Sequence, residues 1–163
     1  MRLVGNLPYN ISTPLLVRLI EWRDLVEDQH FMLQREVVDR IVAEPGTAAY
    51  GRLGVLLQAY YDTENLLAVA PEAFDPPPKV ESAVIRMLPR RDAKDIPAGA
   101  LSQVLAAGFG QRRKMLRKTL LPWLAQRSVD ASPIDPTARA EDLPVSTWVE
   151  LAQRLQAASG SAN

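Results

Sequence analysis

The sequence contains no cysteine and a single histidine, His30, among 163 residues. The first absence excludes a disulfide scaffold, thiolate metal sites and a cysteine nucleophile. The second argues against a histidine-rich metal centre or a histidine-based triad, and no metal is implied. No apolar run approaches the ~20 residues that cross a bilayer. The N-terminus lacks the charged-then-apolar layout of a secretory signal, so a cytoplasmic location without a membrane partner is expected. An excess of either charge is missing too, since 19 Lys and Arg offset 19 Asp and Glu. What is there is 47% hydrophobic and 23% charged, the composition of a globular chain rather than a disordered one. At this length roughly 68–70% of the unfolded surface can be buried, so a real core is within reach.

The pattern changes character near Pro89–Pro97. Before it, strand-like and helix-like stretches alternate. Met1–Val4 reads as a buried strand closed by Gly5. Thr13-Pro14 resembles an N-cap with proline at the first helical position, and Leu15, Leu16, Leu19 and Ile20 share a helical face, so a helix is expected from Pro14 to about Trp22. His30–Gln34 reads as a second strand, with His30 packed or satisfied within it. Arg35–Ala43 and Arg52–Ala59 read as helices, and Tyr60–Ala70 and Val80–Leu88 as strands. Pro71–Lys79 holds four prolines and cannot be a central strand. Beyond the charged Arg90–Pro97 linker, Ala98–Phe109, Lys114–Gln126 and Ser146–Ala158 read as helices, Pro122 shortening the second. Trp22, Trp123 and Trp148 occupy apolar positions of core or interface type, and Gly160–Asn163 reads as a frayed tail. Alternating strands and helices point to part of an α/β sheet.

Three stretches can carry chemistry. Asn6-Leu7-Pro8-Tyr9 follows a strand directly, where open α/β sheets bind ligands. The Asn6 side-chain oxygen can accept from an exocyclic amino group, Pro8 fixes the direction of neighbouring carbonyls, and Tyr9 can stack on a base. Methylation of a base amino group requires this set. Its nitrogen lone pair is delocalised into the ring, and two acceptors gripping its hydrogens favour the pyramidal geometry of attack. The same four residues are also compatible with a turn asparagine and a packed tyrosine. Pro71–Ser82 contains three consecutive prolines that stiffen the chain. It either holds Phe74 over a pocket, with Lys79 at a phosphate, or serves as a rigid connector. Gln111–Lys118 carries five basic residues and no acid. On a helix Lys114, Arg117 and Lys118 would share a face, with Arg112 and Arg113 at its entry. The stretch suits either a phosphate backbone or a solvated surface.

Read together, these stretches resemble a known family. Val4-Gly-Asn-Leu-Pro-Tyr-Asn-Ile-Ser12 is similar to the substrate-side motif of the rRNA adenine N6,N6-dimethyltransferases, the kasugamycin-sensitivity enzymes that modify two adjacent adenines of small-subunit rRNA. Met32–Arg40, Tyr50–Val55, Phe74–Ser82, Phe109–Lys118 and Arg139–Val145, with Trp148 just beyond, resemble its further motifs in the family's order. The related erythromycin-resistance methylases share the first and the proline-rich motif, and Gln111–Lys118 favours the small-subunit enzymes.

The resemblance implies an α/β fold, the second half of a Rossmann-like class I methyltransferase sheet over residues 1–90, followed by a small all-helical RNA-binding domain over 91–163. It implies S-adenosylmethionine as cofactor, with Asn6 at the junction of cofactor and substrate. Asn6 and a backbone carbonyl of the Leu7-Pro8 turn would accept from the adenine amino group, and Tyr9 and Phe74 would sandwich a flipped base. Arg112, Arg113, Lys114, Arg117 and Lys118, with Lys79, would hold phosphates of the small-subunit rRNA or its 30S precursor. The family's glycine-rich cofactor loop and acidic ribose-binding residue should precede Met1, roughly 90 residues of three strand–helix units. The expectation is therefore a chain inactive alone, with a Leu3–Gly5 edge left open to self-association or to a missing half. The alternatives are a non-catalytic RNA-binding or ribosome-assembly module, and an erythromycin-resistance-type methylase.

Overall fold

A computed structural model describes residues 1–161; Ala162 and Asn163 of the expected tail lie outside the described residues. Strand β1, Arg2–Asn6, continues through Gly5 instead of ending there, because Gly5 and Asn6 stay in parallel register with Phe31 and Met32 of β2, Asp28–Gln34. Strands β3, Tyr61–Val69, and β4, Ser82–Pro89, pair antiparallel, with a register shift between Asn65 and Leu67. The order β1-β2-β4-β3 makes a mixed four-stranded sheet. Parallel pairing of β1 with β2 puts both carboxyl ends on the same side, and the antiparallel β4 begins there.

Helix α1, Ser12–Leu19, follows β1, α2, Arg35–Val42, follows β2, and α3, Arg52–Tyr60, leads straight into β3. Pleat alternation buries Phe31, Leu33, Ala83, Ile85 and Met87 on one sheet face, where α2 and α3 pack. The Tyr61 hydroxyl ties the same layer to the end of α1 by donating to the Leu19 carbonyl at 3.2 Å. The opposite face carries Val4, 79% exposed, with the half-buried His30, Met32 and Val84. It is half-bare among the described residues, although strands in parallel pairing are ordinarily covered on both faces. His30 is half-buried there, its Nδ1 lying 3.4 Å from Asp28 Oδ1, a buried oxygen with no hydrogen-bond partner among the described residues.

The helices α4, Ala98–Phe109, and α6, Val145–Gly160, pack on each other and on α3. One continuous core therefore runs from Leu16 to Leu155 across both parts of the chain. Two glycines permit close approach. A Cβ on Gly54 would fall well inside contact distance of the Arg40 carbonyl oxygen, and one on Gly108 would clash with the Trp148 ring.

Several expectations are corrected. The first helix starts at Ser12, not Pro14, and gives way to a 3₁₀ stretch over Ile20–Leu25. Thr13 is not its cap; the Ser12 hydroxyl instead donates to the Tyr9 carbonyl at 3.1 Å. Val80 precedes its strand and is 45% exposed; of the two settings expected for Trp22, its 52% exposure excludes the core and leaves the interface reading open. The continuous helix expected over Lys114–Gln126 is absent. Gln111–Arg113 form a turn, Leu116–Lys118 a single 3₁₀ turn, and only Leu120–Ala125 (α5) is α-helical. The Leu116 and Arg117 N–H groups donate to Ala138 and Pro136 carbonyls at 2.8 and 3.1 Å, so tertiary pairing replaces helical bonds there.

Candidate active site

The turn after β1 is held by the backbone. The Leu7 N–H donates to the Met32 carbonyl at 3.2 Å, docking the turn on the end of β2. The Pro8 carbonyl accepts from Ile11 N–H at 3.2 Å, and the Tyr9 carbonyl accepts from Ser12 as described. The Leu7 carbonyl takes no hydrogen bond among the described residues, which makes it the free acceptor of the turn. Tyr9 is 41% exposed, yet its hydroxyl lies 3.2 Å from the Ser82 hydroxyl at the start of β4, fixing the ring.

The second wall comes from the loop between β3 and β4. Phe74, Pro76 and Pro78 join Asn6, Leu7, Pro8, Tyr9 and Ser82 around a cleft of 320 Å³. Tyr9 and Phe74 line it without stacking on each other. Its lining is apolar apart from Asn6, the two hydroxyls and backbone, and it includes no acid. All five residues expected to act on the base are thus brought together. Lys79 is exposed beside them but does not line the cleft. Ser82 was overlooked as a partner of Tyr9. Nothing in the sequence links two hydroxyls 73 positions apart.

A separate groove runs along α2. Gln34, Arg35, Glu36, Asp39, Val80 and Glu81 line its first part. Glu36, Asp39, Arg40, Arg52 and Arg112 lie along the next, with Ala48, Ala49, Gly51, Leu53 and Gly54. Its acids are offset in place: Arg35 pairs with Glu81 and with Asp39 at 3.7 Å, and Arg40 with Glu36 at 2.6 Å. The hydrogen bond and charge of Glu81, with Asp39 behind it, hold the Arg35 guanidinium above its ordinary range.

The five basic residues of Gln111–Lys118 do not act as one set. Arg113, Lys114, Arg117 and Lys118 are exposed and make no ion pair among the described residues. Arg112 is engaged inside the chain. Its Nη2 lies 2.6 Å from the Ala48 carbonyl, 3.4 Å from that of Thr47 and 3.1 Å from Glu141 Oε2.

The same segment between α2 and α3 is gripped again nearby. The Gly46 N–H donates to the Glu141 carbonyl at 2.7 Å, and the Tyr50 hydroxyl to the Leu143 carbonyl at 2.6 Å. Phe109 lies between Tyr50 and Trp148, with ring centroids 6.2 and 5.1 Å away. Burial pushes the Tyr50 phenol up to about 12, against a smaller opposing pull from the Trp148 indole N–H. That N–H is itself enclosed without a well-formed hydrogen bond.

Comparison with known proteins identifies the family and the fold. The sequence profile of a family described as ribosomal RNA adenine dimethylase matches residues 1–157. The chain is 52% identical over 163 residues to ribosomal RNA small subunit methyltransferase A of Albidiferax ferrireducens, covering 100% of this chain and 62% of that protein. To the protein of that name from Bordetella avium it is 56% identical over 160 residues, covering 97% and 61%. The chain thus spans about 60% of the length of these relatives. Among solved structures, a dimethyladenosine transferase from Plasmodium falciparum superposes with a TM-score of 0.82 at 20% identity, over 97% of this chain and 67% of that one. The 23S rRNA methyltransferase ErmE gives 0.66 at 23%, over 96% and 65%. At these identities the two structures speak for the fold alone.

Proposed function

Since the chain belongs to the ribosomal RNA adenine dimethylase family, we propose that it forms the substrate-side part of an enzyme that dimethylates N6 of two adjacent adenines in small-subunit rRNA during ribosome biogenesis. Its four-stranded sheet is then the second half of a class I methyltransferase sheet, residues 1–90 serve the chemistry, and 91–163 serve RNA binding. The carrying observation is the 320 Å³ cleft in which Asn6–Tyr9 meet Phe74 at the carboxyl end of β1.

An adenine in that cleft leaves its stack and lies between Tyr9 and Phe74, each stack contributing roughly 1–3 kcal/mol. The Ser82 hydroxyl keeps Tyr9 at a fixed angle for it. Asn6 Oδ1 and the free Leu7 carbonyl accept the two N6 hydrogens. That grip draws the lone pair out of the ring and aims it. No base is required, because the methylated nitrogen becomes acidic enough to lose its proton to water.

S-adenosylmethionine supplies the methyl group when bound. Asn6 fits the methyl-bearing end of that cofactor. No acid lines the cleft to grip ribose hydroxyls, so the ribose and purine are assigned to the share of the relatives' length that this chain does not span. Arg113, Lys114, Arg117, Lys118 and Lys79 take phosphates of the small-subunit RNA.

The test is methyl transfer from labelled S-adenosylmethionine to small-subunit RNA, with this chain replacing the matching portion of the Bordetella avium relative. Dimethyladenosine is expected from the chimera, no methylation from the chain alone, and a loss of about tenfold or more in turnover on Asn6→Ala, the equivalent of one transition-state hydrogen bond. Full turnover by the Asn6→Ala chimera would overturn the assignment.

A further inference from the structure

We propose that Arg112 is a positioning residue that binds no phosphate. It locks the basic loop to the segment between α2 and α3, and so fixes where Arg113, Lys114, Arg117 and Lys118 stand relative to the cleft. The proposal rests on the reading of the loop as an RNA contact, and it divides a run of adjacent cations into one tether and its cargo.

Three observations carry it. First, Arg112 is the member of the run whose side chain is committed. One guanidinium nitrogen serves the Ala48 and Thr47 carbonyls and Glu141, while its four basic neighbours make no ion pair among the described residues. Nη2 carries all of these contacts and the carboxylate offsets the charge, so a phosphate would meet an ion pair rather than a free cation, with only Nη1 and Nε left to donate. Second, the partners come from both parts of the chain. Thr47 and Ala48 lie between α2 and α3, Glu141 in the 3₁₀ turn Ala140–Asp142, and Arg112 in the turn after α4. Glu141 is fixed from its other end, since its carbonyl accepts from Gly46 N–H. Third, the guanidinium lies over Gly51, where a Cβ would stand 3.8 Å from Nη1. The Arg112 and Glu141 side chains are 38% and 25% exposed, so the pair is partly buried.

The test uses this chain, its Arg112→Ala, Glu141→Gln, Arg113→Ala and Arg112→Ala/Glu141→Gln variants, and a small-subunit rRNA hairpin. The readouts are the salt dependence of binding and hydrogen exchange of residues 44–51 without RNA. A phosphate ligand contributes roughly 0.7–0.9 to the slope of log K against log salt. Arg113→Ala is expected to lower the slope by that amount. Arg112→Ala and Glu141→Gln are each expected to speed exchange of Gly46–Tyr50 and to weaken binding severalfold, and the double variant to match the worse single one within about twofold.

If Arg112 were a phosphate ligand, Glu141→Gln would release it to the RNA. Binding would tighten and the slope would steepen, the opposite sign, and that result overturns the proposal. Unchanged exchange in Arg112→Ala overturns the tether whatever the RNA does. An unchanged slope in Arg113→Ala instead overturns the RNA reading of the loop, and with it the positioning role, while the exchange data still report the tether.

Discussion

Tyr9 and Trp148 are both large aromatic residues in motifs of the same family, and their settings are opposite. Tyr9 leaves 41% of its surface open and is steered by one hydroxyl contact to Ser82. Trp148 is wholly enclosed, against Phe109 and the bare backbone of Gly108. The cleft is a loosely filled space held from behind by backbone hydrogen bonds. The seam where α3, α4 and α6 meet is packed until only glycine fits. A planar substrate can enter the first region and nothing can enter the second, so the two should respond to mutation in different observables.

The largest expected effect lies at the seam. Trp148→Ala should lower the unfolding free energy by about 3–5 kcal/mol, the usual result of emptying a buried aromatic site. Gly54→Ala, at the neighbouring contact of α3 with α2, should cost about 1–3 kcal/mol by forcing the two apart. Urea unfolding checks both, and a Trp148→Ala loss below about 1 kcal/mol would break the comparison. At the cleft, Tyr9→Ala and Phe74→Ala should leave urea midpoints nearly unchanged. In the chimera each should reduce turnover about 5- to 150-fold, one stacking contact, and RNA affinity much less. A variant that binds RNA poorly but turns over normally would contradict the sandwich.

Tyr50→Phe is the smallest perturbation, about 0.5–1.5 kcal/mol at neutral pH for the bond to Leu143. It also sharpens the contrast through pH. The folded phenol titrates at about 12 because burial disfavours its anion, and the unfolded one near 10. The stabilisation is therefore complete below pH ~10 and is lost as pH rises through the folded value, because the unfolded state binds fewer protons there. Tyr60 and Tyr61 are raised by burial too, so Tyr50→Phe should flatten this alkaline decline without abolishing it. An unaltered decline would mean that Tyr50 is not shielded by the seam.

Much of the cleft was legible because its parts are local. Asn6 to Tyr9 are consecutive at the carboxyl end of a short strand, and the prolines around Phe74 announce a stiff loop whatever the fold. The seam was legible only in pieces. Trp148 reads as core, but its insertion at Gly108 and the hydroxyl of Tyr50 on Leu143 depend on contacts far apart in sequence. The basic run misled for a related reason. Its composition favours a helix from Lys114, and two backbone bonds to Pro136 and Ala138 settle the matter otherwise. Arg112 and Arg113 are identical in one dimension, and only the third gives Arg112 partners within the chain and leaves Arg113 exposed.

The half-bare sheet face with its open β1 edge makes stability a function of what is dissolved beside the chain. Any species that covers Val4 and its neighbours in the folded state alone adds stability logarithmically with its concentration, about 2.7 kcal/mol at a hundredfold excess over its Kd. A second copy of the chain, or the complementary part of a relative added in trans, acts through the same law. The melting temperature is then an isotherm in disguise. Its slope against protein concentration reads out self-association, and its slope against an added fragment at fixed chain concentration reads out complementation.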